Sequence, residues 1–269
     1  MNPLKVAAIP LNITWADKDE NLQNVEKAIA SLPHDTDLVV LPELFNTGFL
    51  QTQESLNKHA EDAVESPSLK RVAEWAQRFN LAIAGSLVVR EEDNSLRNRA
   101  FFIEPSGERT FYDKRHLFCL SSESKNLTCG TRQLPIIRYR GWNIALAVCY
   151  DLRFPAWLRN ADCKYDLLII PANWPNSRAY AWKQLLIARA IENQAYVVGA
   201  NRSGIDDDGQ YDNNTYIFNH VGKKLNDDST QEQKPTHPVV AVLDGEKMQA
   251  WRERFPVWKD ADNFTLNKA

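Results

Sequence analysis

The sequence predicts an α/β protein of interleaved strands and helices, on three observations. Short, near-continuous apolar runs at 6–9 and 38–41 read as strands covered on both faces. Between them Leu22, Val25, Ile29 and Leu32 recur at helical spacing. The same alternation then continues with no internal repeat, low-complexity segment or linker. That pattern predicts one domain over 1–269.

The remaining elements follow in order. Ser66-Pro67 supplies an N-cap and a first-turn proline for a helix marked by Leu69, Val72, Ala76 and Phe79. Residues 81–89 read as a strand, and 99–103 and 109–112 flank the hairpin signature Pro105-Ser106-Gly107-Glu108. A strand over 143–149 ends in Cys149, and 154–160 reads as a short helix. Residues 167–170 form a buried strand. Asn176 or Ser177 then caps a helix to about Asn193 with Trp182, Leu186 and Ala190 on one face. Further strands fall at 196–200, 216–218 and 239–243, and the polar stretches 206–214 and 225–237 read as surface loops.

Composition excludes several function classes. A net charge of −3 gives no electrostatic footprint for nucleic acid or an anionic membrane. No apolar run approaches the ~20 residues needed to cross a bilayer, and the first residues lack the features of a secretion signal. Cys119, Cys129, Cys149 and Cys163 form no C-x-x-C pair and no zinc-like spacing with the five histidines. Reduced thiols in a cytoplasmic protein are therefore expected rather than disulfides, with no metal and no cofactor.

Three segments share one local grammar, an apolar strand delivering a reactive residue at its end. Leu38-Val39-Val40-Leu41-Pro42 leads to Glu43 amid Leu44, Phe45 and Phe49, where poor solvation raises a carboxyl pKa and suits it to proton transfer. Thr110-Phe111-Tyr112-Asp113 leads to Lys114, and Asn143-Ile144-Ala145-Leu146-Ala147-Val148 leads to Cys149. A thiol is nucleophilic as the thiolate, and a nearby cation lowers its pKa. Converging, the three would make a proton shuttle, an oxyanion-stabilising cation and a nucleophile. His116 and His220 are the candidates for a Cys–His pair, but neither has comparable strand-end context.

Leu41-Pro42-Glu43-Leu44-Phe45, Tyr112-Asp113-Lys114-Arg115-His116-Leu117-Phe118 and Val148-Cys149-Tyr150-Asp151-Leu152-Arg153-Phe154-Pro155 together resemble the nitrilase, or carbon–nitrogen hydrolase, superfamily. Pro171-Ala172-Asn173-Trp174-Pro175 and the stretch from Ala188 to Val198 extend the resemblance, which is nearest to bacterial omega-amidases and implies a domain core of about 4–245 with a C-terminal extension at 246–269. The resemblance implies a four-layer α-β-β-α sandwich of the nitrilase type, often paired into homodimers. It also implies Glu43 as general base and acid, Lys114 as oxyanion stabiliser and Cys149 as nucleophile. Glu123 would orient Lys114 or steer the departing amine. Asn213-Asn214-Thr215 departs from the family's Gly-Asp-Ser, which puts the packing or pocket contacts of that turn in question.

The expected reaction is amide hydrolysis through a cysteine thioester, with the backbone N–H of Tyr150 as a second oxyanion donor. Arg153, four residues after the nucleophile, is the candidate to grip a substrate carboxylate with its bidentate fork, or else to pair with Asp151 or another acid. Trp174 is either an apolar wall of the pocket or core. The expected partner is a small carboxylate-bearing amide of the 2-oxoglutaramate or 2-oxosuccinamate type. A deaminated-glutathione-type amide, an N-carbamoyl amino acid, a nitrile and a non-catalytic binding role stay open as alternatives.

Overall fold

The computed structural model describes residues 1–207, 209–225, 237–262 and 264–266. Its first half runs β1 (Leu4–Ala8), α1 (Lys18–Ala30), β2 (Leu38–Val40), α2 (Gln53–His59), β3 (Glu61–Asp62), α3 (Pro67–Phe79), β4 (Ala82–Arg90), β5 (Leu96–Ile103) and β6 (Arg109–Asp113). The second half runs α4 (Glu123–Asn126), β7 (Ile136–Tyr139), β8 (Trp142–Leu146), β9 (Leu167–Ala172), α5 (Ala179–Asn193), β10 (Tyr196–Asn201), β11 (Gly204–Asp206), β12 (Gly209–Tyr211), β13 (Tyr216–Phe218), β14 (Val239–Leu243) and α6 (Gly245–Arg254).

Two large sheets result, ordered β14-β1-β2-β4-β5-β6, with β3 joined to β4, and β13-β10-β9-β8-β7, beside a two-stranded sheet of β11 and β12. The period-two alternation of strand side chains splits the first sheet between two cores. Leu4, Val6, Ala8, Leu38, Val40, Ala82 and Ala84 face the second sheet, where they meet Ile144, Leu146, Leu167 and Ile169. Ala7, Ile9, Val39, Leu41 and Ile83 face the other way, onto Val25 and Ile29 of α1 and Leu69, Val72 and Trp75 of α3. Burying each of those larger helix side chains contributes about 1.5–3 kcal/mol. On the far face of the second sheet, Trp182 and Leu186 of α5 close onto β10 so tightly that a Cβ on Gly199 would lie 2.5 Å from Leu186 Cδ1. Helix, sheet, sheet and helix are thus stacked as a four-layer α-β-β-α sandwich.

The expected cap at Asn176 or Ser177 is corrected: α5 starts at Ala179 after a 3₁₀ turn with no side-chain cap, and Asn176 Oδ1 instead accepts from Asp212 N at 2.8 Å and Asn214 Nδ2 at 2.9 Å. The cap of α3 is as expected. Ser66 Oγ accepts from Leu69 N at 3.1 Å ahead of Pro67, and α3 ends at Asn80 in the left-handed region. Several local expectations are corrected. The strand leading to Cys149 stops at Leu146, and Cys149–Arg153 is a 3₁₀ turn. The short helix expected at 154–160 is one uncontinued turn, in which Trp157 and Leu158 donate to Phe154 O. Asn160 then diverts the chain, its side chain bonding the backbone of Tyr165 and Asn193. The loop expected at 206–214 contains most of the β11–β12 hairpin. Most of the loop expected at 225–237 lies outside the described residues. Among the described residues no helix is long and apolar enough to cross a membrane.

Topology sets the location of the site. Strands β2 and β4 are parallel, β5 is antiparallel to β4, and β6 is antiparallel to β5, so β2 and β6 end at the same edge of their sheet. Strands β8 and β9 are parallel and end together in the other sheet.

Candidate active site

Glu43 follows β2, Lys114 follows β6 and Cys149 follows β8, and the sandwich brings all three together. Lys114 Nζ lies 2.8 Å from Glu43 Oε1 and 2.9 Å from both oxygens of Glu123, and all three side chains are only about 1% exposed. Glu43 also accepts from Asn98 Nδ2 at 2.8 Å and from the Asn173 N–H at 2.9 Å. Its main-chain oxygen accepts from Asn173 Nδ2 at 2.7 Å. Asn173 follows β9, so these bonds tie the two sheets together across the site. Glu123 caps the arrangement by accepting from Phe118 N at 2.7 Å and Asn98 Nδ2 at 3.2 Å. The Cys149 thiol interacts with the Glu43 carboxylate and the Asn173 backbone N–H. Glu43 is as poorly solvated as expected, yet its oxygens are saturated by polar partners rather than lined by apolar ones.

The backbone on either side of this cluster is held in an uncommon conformation. Cys149 has φ 42° and Leu44, next to Glu43, has φ 49°. Non-glycine residues occupy that region at a cost, and persist there when their surroundings over-determine them. At Cys149 the constraint comes from Asp151, which is fully buried. Its carboxylate accepts from Val148 N at 3.1 Å, Tyr112 O–H at 2.9 Å and His116 N at 3.0 Å, and meets His116 Nδ1 at 2.7 Å. One side chain thereby couples the Cys149 turn to the residues on both sides of Lys114. Gly130 packs onto the same segment: a Cβ there would lie 2.0 Å from Asp113 O.

A cavity of about 290 Å³ opens above Glu43, Lys114 and Cys149, and its walls include Tyr150, Arg153, Trp174 and Arg178. Arg153 does not pair with Asp151; its guanidinium carbon lies 4.9 Å from the centre of the Trp174 ring. Trp174 is wall and core at once, 3% exposed, with Nε1–H donating to Arg178 O at 3.0 Å. Tyr150 packs edge-on against Phe118 and Phe154. The departing turn Asn213-Asn214-Thr215 serves packing: Asn214 O accepts from Trp182 Nε1, and Thr215 Oγ1 exchanges hydrogen bonds with the Asn201 backbone.

The carbon–nitrogen hydrolase family model matches residues 5–253. The chain belongs to the carbon–nitrogen hydrolase family. It is 38% identical to the omega-amidase YafV of Escherichia coli strain K12 over 267 residues, covering 99% of this chain and 100% of that one. It is 30% identical to the 2-oxoglutaramate amidase of Bacillus subtilis, covering 95% and 96%. Among solved structures it superposes with a TM-score of 0.91 on XC1258 from Xanthomonas campestris, described as a CN-hydrolase superfamily protein with an arsenic adduct in the active site. That structure is 34% identical, with 99% and 100% of the two chains covered. As a member of the family, the chain is an amide-hydrolysing enzyme.

Electrostatics in this hydrolase differ from the sequence expectation at one point. Burial opposes charge on Lys114, but the carboxylates of Glu123 and Glu43 outweigh it and hold the ammonium well above the usual lysine range. Burial, followed by the Glu43 carboxylate, pushes the Cys149 thiol well above its ordinary value despite Lys114. Burial and the Glu43 carboxylate together outweigh the pull of the cation. Sequence reasoning also missed Asn98, Asn173 and Arg178 as members of the site. Asn98 could have been found, because the alternation through Ala100 and Phe102 puts it on the inner face of β5. Asn173 could have been found too, because it follows the apolar strand β9 as Glu43 follows β2; nothing in the local sequence distinguishes Arg178 from ordinary loop residues.

Proposed function

We propose that this enzyme hydrolyses small carboxylate-bearing amides of the 2-oxoglutaramate type through a thioester on Cys149. The observation that supports this most is Lys114 held between Glu43 and Glu123, with the Cys149 thiol on Glu43. A neutral resting thiol needs a base at the moment of attack, and Glu43 is the carboxylate in contact with it. Sulfur adds to the amide carbon as Glu43 takes the thiol proton. The oxyanion that forms is met by Lys114 and by the N–H of Tyr150, at the start of a 3₁₀ turn where backbone donors lack intrahelical partners. Glu43 gives its proton to the departing nitrogen, the carbon–nitrogen bond breaks, and ammonia leaves. Water, deprotonated by Glu43, then attacks the thioester. The carbon–sulfur bond breaks, the acid leaves, and the proton returns to the thiol. Glu123 keeps Lys114 aimed at the oxyanion.

Arg153 is the group that holds the substrate carboxylate. In support, it forms no ion pair among the described residues and lies along Trp174 at the cavity wall. The names of the Escherichia coli and Bacillus subtilis relatives point to the same substrate class. The four unpaired cysteines support a cytoplasmic setting. An ammonia-release screen across 2-oxoglutaramate, 2-oxosuccinamate, glutamine, asparagine and a simple nitrile tests the reading. The two 2-oxo acid amides should show the highest kcat/KM. A nitrile or an amino-acid amide ranking first by tenfold or more would overturn it.

A further inference from the structure

We infer that Arg178 is a second specificity-determining residue of this pocket, reading the 2-oxo oxygen of the substrate while Arg153 holds its carboxylate. The inference rests on the function proposed above. Arg178 ends the 3₁₀ turn Asn176–Arg178 between β9 and α5, far in sequence from the turn that carries Arg153. Trp174 joins the two. Its ring carries the Arg153 guanidinium at 4.9 Å, and its Nε1–H fixes the Arg178 carbonyl at 3.0 Å. Trp174 is itself locked by Asn201, which accepts from its N–H at 2.7 Å and donates to its carbonyl at 2.8 Å. With its backbone pinned on this wall, Arg178 places its guanidinium carbon 5.2 Å from the centre of the Phe118 ring, on the wall that follows Lys114.

Charge balance gives this placement its meaning. Lys114 is neutralised by two carboxylates. Arg153 and Arg178 have no carboxylate partner among the described residues, so they are the uncompensated positive charge of the cavity wall. A guanidinium stacked on an aromatic face keeps its edge N–H groups available for acceptors in the ring's surroundings. One bidentate fork engages both oxygens of a plain carboxylate. A 2-oxo acid presents a third oxygen on the adjacent carbon, and two forks match three oxygens better than two. An analogue lacking that oxygen leaves the second fork unpaired, which is how a polar site discriminates between substrates that differ by one acceptor. Arg178 is exposed, so the discrimination should be modest.

The test measures kcat/KM for 2-oxoglutaramate and for glutaramate, which differ only in the 2-oxo group, with the wild type, Arg178→Gln and Arg153→Gln. Arg178→Gln should cut the preference for 2-oxoglutaramate roughly tenfold, mainly through KM. Arg153→Gln should weaken both substrates and keep most of the preference. An unchanged preference in Arg178→Gln, or equal losses on both substrates, would overturn the inference while leaving the proposed function standing. A wild-type enzyme that cleaves neither acidic amide would remove both.

Discussion

Lys114 shows at the scale of one residue how this site is held. A buried ammonium loses its hydration, and two carboxylates at hydrogen-bonding distance offset that loss. Removing one partner from such a group costs more than the group contributes, because the remaining charges stay buried. Lys114→Met leaves Glu43 and Glu123 facing each other without a cation. It should lower unfolding free energy by about 3–5 kcal/mol in urea titration as well as abolish turnover. A loss below about 1 kcal/mol would mean that the carboxylates had found other compensation. The sequence made Glu43, Lys114 and Cys149 legible because each follows an apolar strand. It did not make the thiol's state legible, since that depends first on burial and then on the Glu43 carboxylate brought beside it from another strand.

At the scale of elements, the turn after β8 and the segment around Lys114 act as one unit because Asp151 bonds both. Four polar groups converge on its carboxylate, two of them from His116 and one from Tyr112. Asp151→Asn replaces one acceptor oxygen with a donor facing groups that already donate, and each buried mismatch costs about 1–3 kcal/mol. The strained Cys149 turn should relax, lowering kcat by roughly 10–100-fold with a smaller change in KM, since misplacing a reacting atom by about 1 Å costs on the order of 10² in rate. Steady-state kinetics checks this, and an unchanged kcat would place Asp151 outside the positioning of the nucleophile. Strand and helix existence was legible at this scale wherever apolar periodicity ran unbroken, as in α1, α3 and β9. Turns were not. The strand before Cys149 ends at Leu146 instead of running on, because the Val148 N–H is claimed by Asp151, a side chain further along the chain.

For the whole molecule, two sheets whose strands end at one edge place residues from sequence positions 43, 114, 149 and 173 in a single cluster. That convergence is invisible in sequence spacing and came only from family resemblance. The opposite region carries a different liability. His220 is 4% exposed, flanked by Tyr196 and Trp251, with Nδ1 unpartnered among the described residues. Burial first, then the charges of Arg252 and Lys247, lowers its pKa to about 4. The unfolded chain therefore binds an extra proton between about pH 4 and the ordinary histidine value near 6.5. His220's contribution to stability is complete above that window and is lost as pH falls through it, by on the order of 2 kcal/mol, or roughly 4–8 °C in Tm. Thermal melts at pH 7 and pH 4.5 should show that drop, and His220→Leu should reduce it; an equal drop in the variant would assign it to other groups. Peptide mass spectrometry of acid-quenched turnover reads directly whether Cys149 takes the acyl group. The peptide containing Cys149 should carry the acyl mass of the substrate. Acyl mass on another residue, or none while the same samples release ammonia, would contradict it.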